Sequence, residues 1–321
     1  MRLKFATAPA VLQRRQTRTH PECPAPARWL ARTATQRTIR FQGRAHNGGS
    51  DPRGLFQGVG VIRIEHFVCL VGLLVGAPTL ADTALCTDRP TKSTGTCTAE
   101  AGHIQVESDL VSFSQTHEGD ITATTWVILN PTLKYGVDET FDIEAAVALA
   151  VENSVSHAQV AEQATGVGDL YLKAKKRFSL GDRIDLALMP VVKLPTAKRS
   201  LGNGAVEWGL LAPVVISLDE NWSLNLSPEV DRLRNQSGRG YHTASAQLIN
   251  LGRTLPHDLT VSVEWWGGWD NDPSGSTRQT SLDVGLAWLA RRDLQFDVGI
   301  NRGLNAATPR IQAYVGIAKR Y

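Results

Sequence analysis

The sequence predicts an all-β fold, an antiparallel transmembrane β-barrel of about 12 strands of the outer-membrane type, and three observations carry that prediction. The chain ends in a stretch, Arg310 to Tyr321, that alternates to an aromatic carboxyl terminus, with Ile311, Ala313, Val315, Ile317 and Tyr321 on one face. Arg310, Gln312, Tyr314 and Arg320 fall on the other face, while Lys319 breaks the apolar row. The same period of two recurs from His103 onward, as a strand requires when its two faces meet different surroundings. The connections also sort alternately into short and long, which a closed wall with two unlike rims explains and a soluble sandwich does not.

The strands follow in order. His103 to Phe113 sets Ile104, Val106 and Leu110 against Gln105, Glu107 and Asp109, and Thr122 to Val137 sets Val127, Leu129, Leu133 and Tyr135 against Asn130, Thr132 and Lys134. Phe141 to Val151 places Ile143, Ala145, Val147 and Leu149 opposite Asp142 and Glu144. Asp169 to Phe178 and Arg183 to Leu194 repeat the pattern, with Lys173, Lys175, Arg177, Asp185 and Lys193 on the polar side. Glu207 to Leu218, Asn221 to Asp231, Tyr241 to Leu251, Asp258 to Trp266, Gln279 to Leu289 and Asp293 to Asn301 precede the closing strand.

Tyr135 to Phe141, Ser179 to Asp182, Ser217 to Asn221 and Ala290 to Asp293 read as tight turns. Glu152 to Gly168, Pro195 to Val206, Asp231 to Tyr241, Trp269 to Thr277 and Asn301 to Pro309 read as long polar loops. Trp208, Trp222, Trp265, Trp269, Trp288 and Tyr321 sit toward strand ends, where amphipathic rings form interfacial girdles. Trp126 and Trp266 fall on the polar face.

The amino-terminal part is different in kind. Residues 1–60 hold 11 Lys and Arg against 2 acidic residues and show no apolar periodicity, so they read as a mis-called or disordered extension. Phe67 to Gly76 is the one continuous apolar run; it is too short to span a bilayer, and the small residues up to Ala81 make 61–81 a signal peptide cleaved near Ala81. Residues 82–321 then carry 22 basic and 28 acidic groups, so no nucleic-acid partner is expected. Residues 82–102 read as a short periplasmic lead and 103–321 as the barrel. Cys86 and Cys97 remain in the lead, and in an oxidising compartment they can pair, closing a loop worth about 3 kcal/mol.

In a barrel, chemistry lies on the inward face. The candidates for lining it are Glu107, Asp109, Lys134, Asp142, Glu144, Asp169, Tyr171, Lys173, Lys175, Arg177, Arg183, Asp185, Lys193, Glu229, Glu264, Trp266, Asp283, Asp297, Arg310 and Tyr314. Mixed charge supports water and polar solutes, and the rings could stack on an aromatic one. The same residues could instead neutralise one another and fill the bore. Pro190, Pro213 and Pro228 interrupt three successive strands, which implies bulges near the rim or a wall that opens sideways into lipid. Tyr241-His242-Thr243-Ala244-Ser245 puts His242 and Ser245 on opposite faces, so no hydrolytic pair forms. Asp270 to Gly275 lacks the closing Glu of a calcium loop. No cofactor, metal or catalytic residue is expected.

Asp88-Arg89-Pro90, Ala101-Gly102-His103-Ile104-Gln105-Val106-Glu107, Gly166-Val167-Gly168-Asp169 running into Lys173-Ala174-Lys175, and Leu188 to Thr196 resemble the outer-membrane barrel family linked with meta-cleavage phenol degradation. The resemblance spans about residues 88–321; the basic leader and the cysteine pair lie outside its pattern. It implies a passive pore or facilitator for small molecules, aromatic compounds among them, in the outer membrane of a Gram-negative bacterium. The partners it implies are outer-membrane lipid and lipopolysaccharide, a small-molecule solute, and the barrel-assembly machinery acting through the last strand. A plugged structural or adhesive barrel, a barrel-borne lipid hydrolase and a soluble secreted β-protein are the alternatives.

Overall fold

Side chains that alternate in polarity force extended backbone wherever one face meets hydrocarbon and the other meets water. The computed structural model describes residues 84–157 and 160–321, and these form strands and turns with no helix. The expectations for residues 1–60, for 61–81 and for the first two residues of the lead lie outside the described residues.

Fifteen strand segments make up the wall: β1 (Ile104–Glu118), β2 (Ile121–Asp138), β3 (Phe141–Ala146), β4 (Ala150–His157), β5 (Val160–Gly166), β6 (Leu170–Ser179), β7 (Ile184–Leu194), β8 (Glu207–Leu211), β9 (Val214–Ser217), β10 (Trp222–Arg234), β11 (Tyr241–Leu255), β12 (Leu259–Asp272), β13 (Gly275–Arg291), β14 (Leu294–Gly303) and β15 (Ile311–Arg320). They amount to 12 wall strands. β3 and β4 pair with the two halves of β2 and make one strand. β5 and β6 continue alongside as the next. β8 and β9 together bridge β7 and β10. All pairings are antiparallel, and β15 closes the barrel on β1 from Gln105↔Arg320 to Gln115↔Ile311. Closure leaves the barrel no open edge. The irregular Lys319 is explained here: its ammonium reaches Asp293 in the turn between β13 and β14.

Two loops read from the sequence are strands. Glu152 to Gly168 continues as the β4–β5 hairpin, and because β6 and β7 stop pairing at Leu170↔Leu194, β5 pairs with β4 alone. That hairpin stands past the lipid-facing wall, so it needs no apolar face and shows no alternation. Trp269 to Thr277 closes tightly at Asp272↔Gly275.

Facing reverses within β2 at Leu129. Leu129 adopts a φ of 53°, and it and Asn130 are both buried toward the bore, at 8% and 3% exposure. One extra inward residue reverses everything beyond it. Val127 therefore points inward, whereas Trp126 points outward at 44% exposure and packs on Phe113 with ring centroids 4.8 Å apart. Trp266 is inward, as its position on the polar face implied.

The three prolines do not open the wall. Pairing runs through Met189↔Leu211 on one side of the Ala212–Pro213 break and Leu186↔Val214 on the other. Across the break Ala212 N donates to Pro228 O at 3.0 Å and Ala187 N to Pro213 O at 2.9 Å. The break is a bulge, and the sideways route is excluded in this conformation.

Outside, Leu133, Ile143, Leu172, Leu210, Val230, Val263, Val284, Val298 and Val315 form an exposed apolar belt around the wall. A continuous belt of this kind has no counterpart on a soluble monomer, where exposed apolar patches stay small, and it demands lipid. Rings flank it at both ends: Tyr135, Trp222 and Trp288 toward the short turns, Phe113, Trp126, Trp208 and Tyr241 toward the long loops.

Candidate functional site: a plugged bore

The lead does not leave the barrel. Leu85 N donates to Arg292 O at 2.8 Å at the short-turn rim, and from there residues 86–97, closed by the Cys86–Cys97 disulfide, run into the bore. Gln105 Nε2 holds Cys86 O at 2.8 Å, and Thr98 Oγ1 returns the chain to the same rim on Glu139 O at 3.1 Å. The geometry is a disulfide-closed plug.

Its three charged residues match three parts of the wall. Asp88 accepts from Lys134 Nζ at 2.6 Å and Lys175 Nζ at 2.8 Å. Burial alone would raise the Asp88 carboxyl, but the two ammonium groups outweigh it and hold the group well below the usual carboxylate range. Arg89 makes a fork on Asp297, Nε at 2.8 Å and Nη2 at 2.7 Å, and places Nη1 2.8 Å from Asp109. Burial would lower its pKa, but Asp109 and Asp297 raise it, so the guanidinium stays charged. Lys92 reaches Ser281 Oγ at 2.7 Å and Asp283 at 3.1 Å, over the Trp266 ring at 4.5 Å. Here burial prevails over Asp283 and Glu264, and the ammonium is shifted down. Glu264 also accepts the backbone N–H groups of Lys92 and Ser93 at 3.0 and 2.7 Å.

The wall is cut to receive this loop. Gly285 faces Pro90 so closely that a Cβ there would come within 2.6 Å of its ring, and a Cβ on Gly316 would collide with the Arg89 guanidinium. Glycine inside a strand marks such a close backbone approach.

A chamber of about 1020 Å³ runs from beside Asp88, Lys134 and Glu144 toward the long loops. Lys92 and Thr94 border it on the plug side, and Tyr171, Met189, Lys193, Glu229 and His242 line its walls. Lys193 bonds Glu207 at 2.7 Å and Asn203 at 2.6 Å, tying the 195–206 segment to the chamber mouth. His242 Nε2 lies 2.7 Å from Asp270 and its Nδ1 3.3 Å from Asp272, while Ser245 faces away on the outer side.

Of the residues picked from the sequence, Glu107, Lys134, Asp142, Glu144, Asp169, Lys175, Lys193, Glu229, Glu264, Trp266, Asp283, Asp297 and Tyr314 are buried within the barrel. Asp109 meets the plug through Arg89, Tyr171 borders the chamber, and Lys173 pairs with Glu144 at 3.1 Å. Arg177 and Asp185 pair at 2.9 Å near the short-turn rim, half exposed, and Arg183 and Arg310 are exposed at the short-turn and long-loop rims. Rim position, where alternation no longer selects a face, explains these four.

Asp88, Arg89 and Lys92 were missed. A signal for them existed: the strands that became β12 to β14 offer inward Glu264, Asp283 and Asp297 with no inward Lys or Arg, so a cation had to come from elsewhere. Inward Gly285 on β13 and Gly316 on β15 were the second sign.

A family profile described as "Putative MetA-pathway of phenol degradation" matches residues 87–321. The chain belongs to this family. The match begins inside the plug, so family membership covers plug and barrel together. The solved COG4313 outer membrane channel of Pseudomonas putida F1 superposes with a TM-score of 0.59 at 17% identity, over 73% of this chain and 99% of that one. More remote likenesses are the β-domain of the Bordetella autotransporter BrkA, at TM-score 0.45, 14% identity, 68% and 99% coverage, and the CymD monoaromatic hydrocarbon channel, at 0.41, 10%, 69% and 89%. No curated protein sequence matches.

Proposed function

We propose that the protein is an outer-membrane facilitator for passive uptake of small molecules, held shut in this conformation by its own amino-terminal loop. The observation that carries the reading is the manner of attachment. The contacts of Asp88, Arg89, Lys92 and Ser93 with the wall run through side chains rather than a shared ladder, so the loop can withdraw without breaking the barrel. The chamber above it already opens among the long loops. Aromatic compounds are the proposed solutes: the family description refers to phenol degradation, and Tyr171 and Met189 offer a ring and a thioether to an aromatic guest. The solved Pseudomonas relative is described as an outer membrane channel.

On this reading residues 61–81 direct export, cleavage near Ala81 leaves the plug at the mature amino terminus, and the short-turn rim faces the periplasm. The last strand is the element presented to the assembly machinery, and the apolar belt meets lipid and lipopolysaccharide. Conduction is the proposed activity; His242 and Ser245, on opposite faces of β11, form no hydrolytic pair.

Planar-bilayer conductance tests this, with heat-modifiable gel migration as the folding control. The intact protein should be silent or show brief openings, and deletion of residues 86–97 should give steady discrete steps. If both stay silent while remaining heat-modifiable, the protein is a structural or adhesive barrel and conduction is wrong.

A further inference from the structure

The long-loop rim is divided by charge. From Arg232 to Arg310 it carries Arg232 on β10, Arg278 on β13 and Arg302 on β14 at outward positions, with Arg310 at the rim just before β15, all exposed. The two carboxylates at this end of the same sector, Asp270 and Asp272, turn into the bore and are taken up by His242. The sector of β1 to β5 is opposite in sign, with Glu118 and Asp120 around the β1–β2 turn, Glu152 on β4, Glu162 on β5 and no Lys or Arg between residues 135 and 172, while Lys198 and Arg199 stand exposed on the segment between β7 and β8. Inside the barrel nearly every charge meets a counter-charge; these four arginines make no ion pair among the described residues. Arg232 Nη1 bonds the Thr243 hydroxyl at 3.0 Å and Arg302 Nη1 the Arg310 carbonyl at 3.2 Å, contacts that hold the stems and leave further donors outward.

Their depth says what they face. Arg232 is cross-strand from Trp208, whose ring packs on Tyr241 at 5.2 Å, and Arg278 is cross-strand from Trp269. Outward tryptophan and tyrosine mark the edge of the hydrocarbon, so guanidinium groups beside and above them stand among lipid headgroups. Lysine is absent from this row, and a guanidinium is the group whose planar fork grips a phosphate through two bonds.

We propose that this sector is a binding surface for the phosphates of lipid A in the outer leaflet, gripped by Arg278, Arg302 and Arg310 with Arg232 at its edge. The proposal rests on the membrane orientation proposed above, with the long loops outside. Headgroup phosphates would bond these guanidinium groups at separate points, because Arg302 stands opposite Leu282, four residues along β13 from Arg278. The acidic β1 to β5 sector would repel the same headgroups.

The test uses the purified protein in detergent, titrated by intrinsic tryptophan fluorescence with diphosphoryl lipid A, dephosphorylated lipid A and phosphatidylglycerol. Wild type should prefer diphosphoryl lipid A over both others. The Arg278→Gln/Arg302→Gln/Arg310→Gln variant should bind it about tenfold or more weakly, given the contribution of each cation at an anionic surface. Arg253→Gln, at the opposite rim beside Trp222, should bind as wild type. Equal binding of dephosphorylated lipid A, equal binding of phosphatidylglycerol, or an unchanged triple variant would overturn the proposal. Should the triple variant misfold, the wild-type comparison and Arg302→Gln alone still decide. Failure of the membrane reading would show separately, as a protein with no heat-modifiable form.

Discussion

Arg89 is the residue on which the closed state turns. It is the shared partner of Asp109 and Asp297, and all three are shielded from solvent, with side-chain exposures of 6%, 16% and 0%. Removing one member of such a set leaves the others buried without a counter-charge, at a cost of about 3–5 kcal/mol. Arg89→Ala should therefore release the plug rather than unfold the barrel: protease sites within residues 84–100 open and conductance appears, while heat-modifiable migration persists. Arg89→Lys should restore part of the closure, because it keeps the charge and loses the fork. Asp88 gives the pH dependence. Its carboxyl is depressed in the folded state, so its contribution is fully present above its unfolded value of about 4 and lost as pH falls through the folded one. Closure through Asp88 should hold unchanged from neutral pH down to about pH 4 and weaken only below that, read as conductance against pH.

At the scale of the element, the plug is a short loop without strand or helix of its own, and two devices keep it in shape. One is the disulfide, whose closure of a loop this short restricts the free plug by about 2–3 kcal/mol. The other is the pair of glycine seats at Gly285 and Gly316. Cys86→Ser/Cys97→Ser should leave the barrel's heat-modifiable form intact and raise protease access to residues 86–97, and reductant should do the same to wild type. Unchanged protection in both would place the whole of the plug's order in its side-chain contacts. The strands themselves show the converse arrangement: backbone ladders fix them, and Leu129 shows that one residue with positive φ re-aims half a strand.

For the whole molecule, lipid outside and a charged plug inside replace the apolar core of a soluble protein. The inward faces of β2 to β6 supply Lys134, Lys173 and Lys175, those of β12 to β14 supply Glu264, Asp283 and Asp297, and the plug lies between with charges of the needed sign toward each. Closure is therefore an electrostatic match between opposite walls. The chamber reaches down beside the plug to Lys134 and Glu144, and on the proposed reading loop withdrawal, measured by the conductance of the deletion variant, is the event on which transport depends.

The barrel was legible because its cause is local. A wall between lipid and a polar bore imposes a period of two on each strand, closure requires the aromatic last strand to meet the first, and unlike rims sort the connections; each leaves a mark a few residues long. Inward positions such as Glu144, Lys193 and Asp283 followed from the same alternation. The β4–β5 hairpin was not legible, because above the lipid no surrounding selects a face. Nor was the reversal at Leu129, which depends on one dihedral angle. The plug was hidden for a different reason: Asp88 meets Lys175, Arg89 meets Asp297 and Lys92 meets Asp283 across sequence separations no local pattern spans. Alternation determined which faces of the wall are polar; only the closed barrel decided that the amino-terminal loop, and not water alone, would occupy the space they enclose.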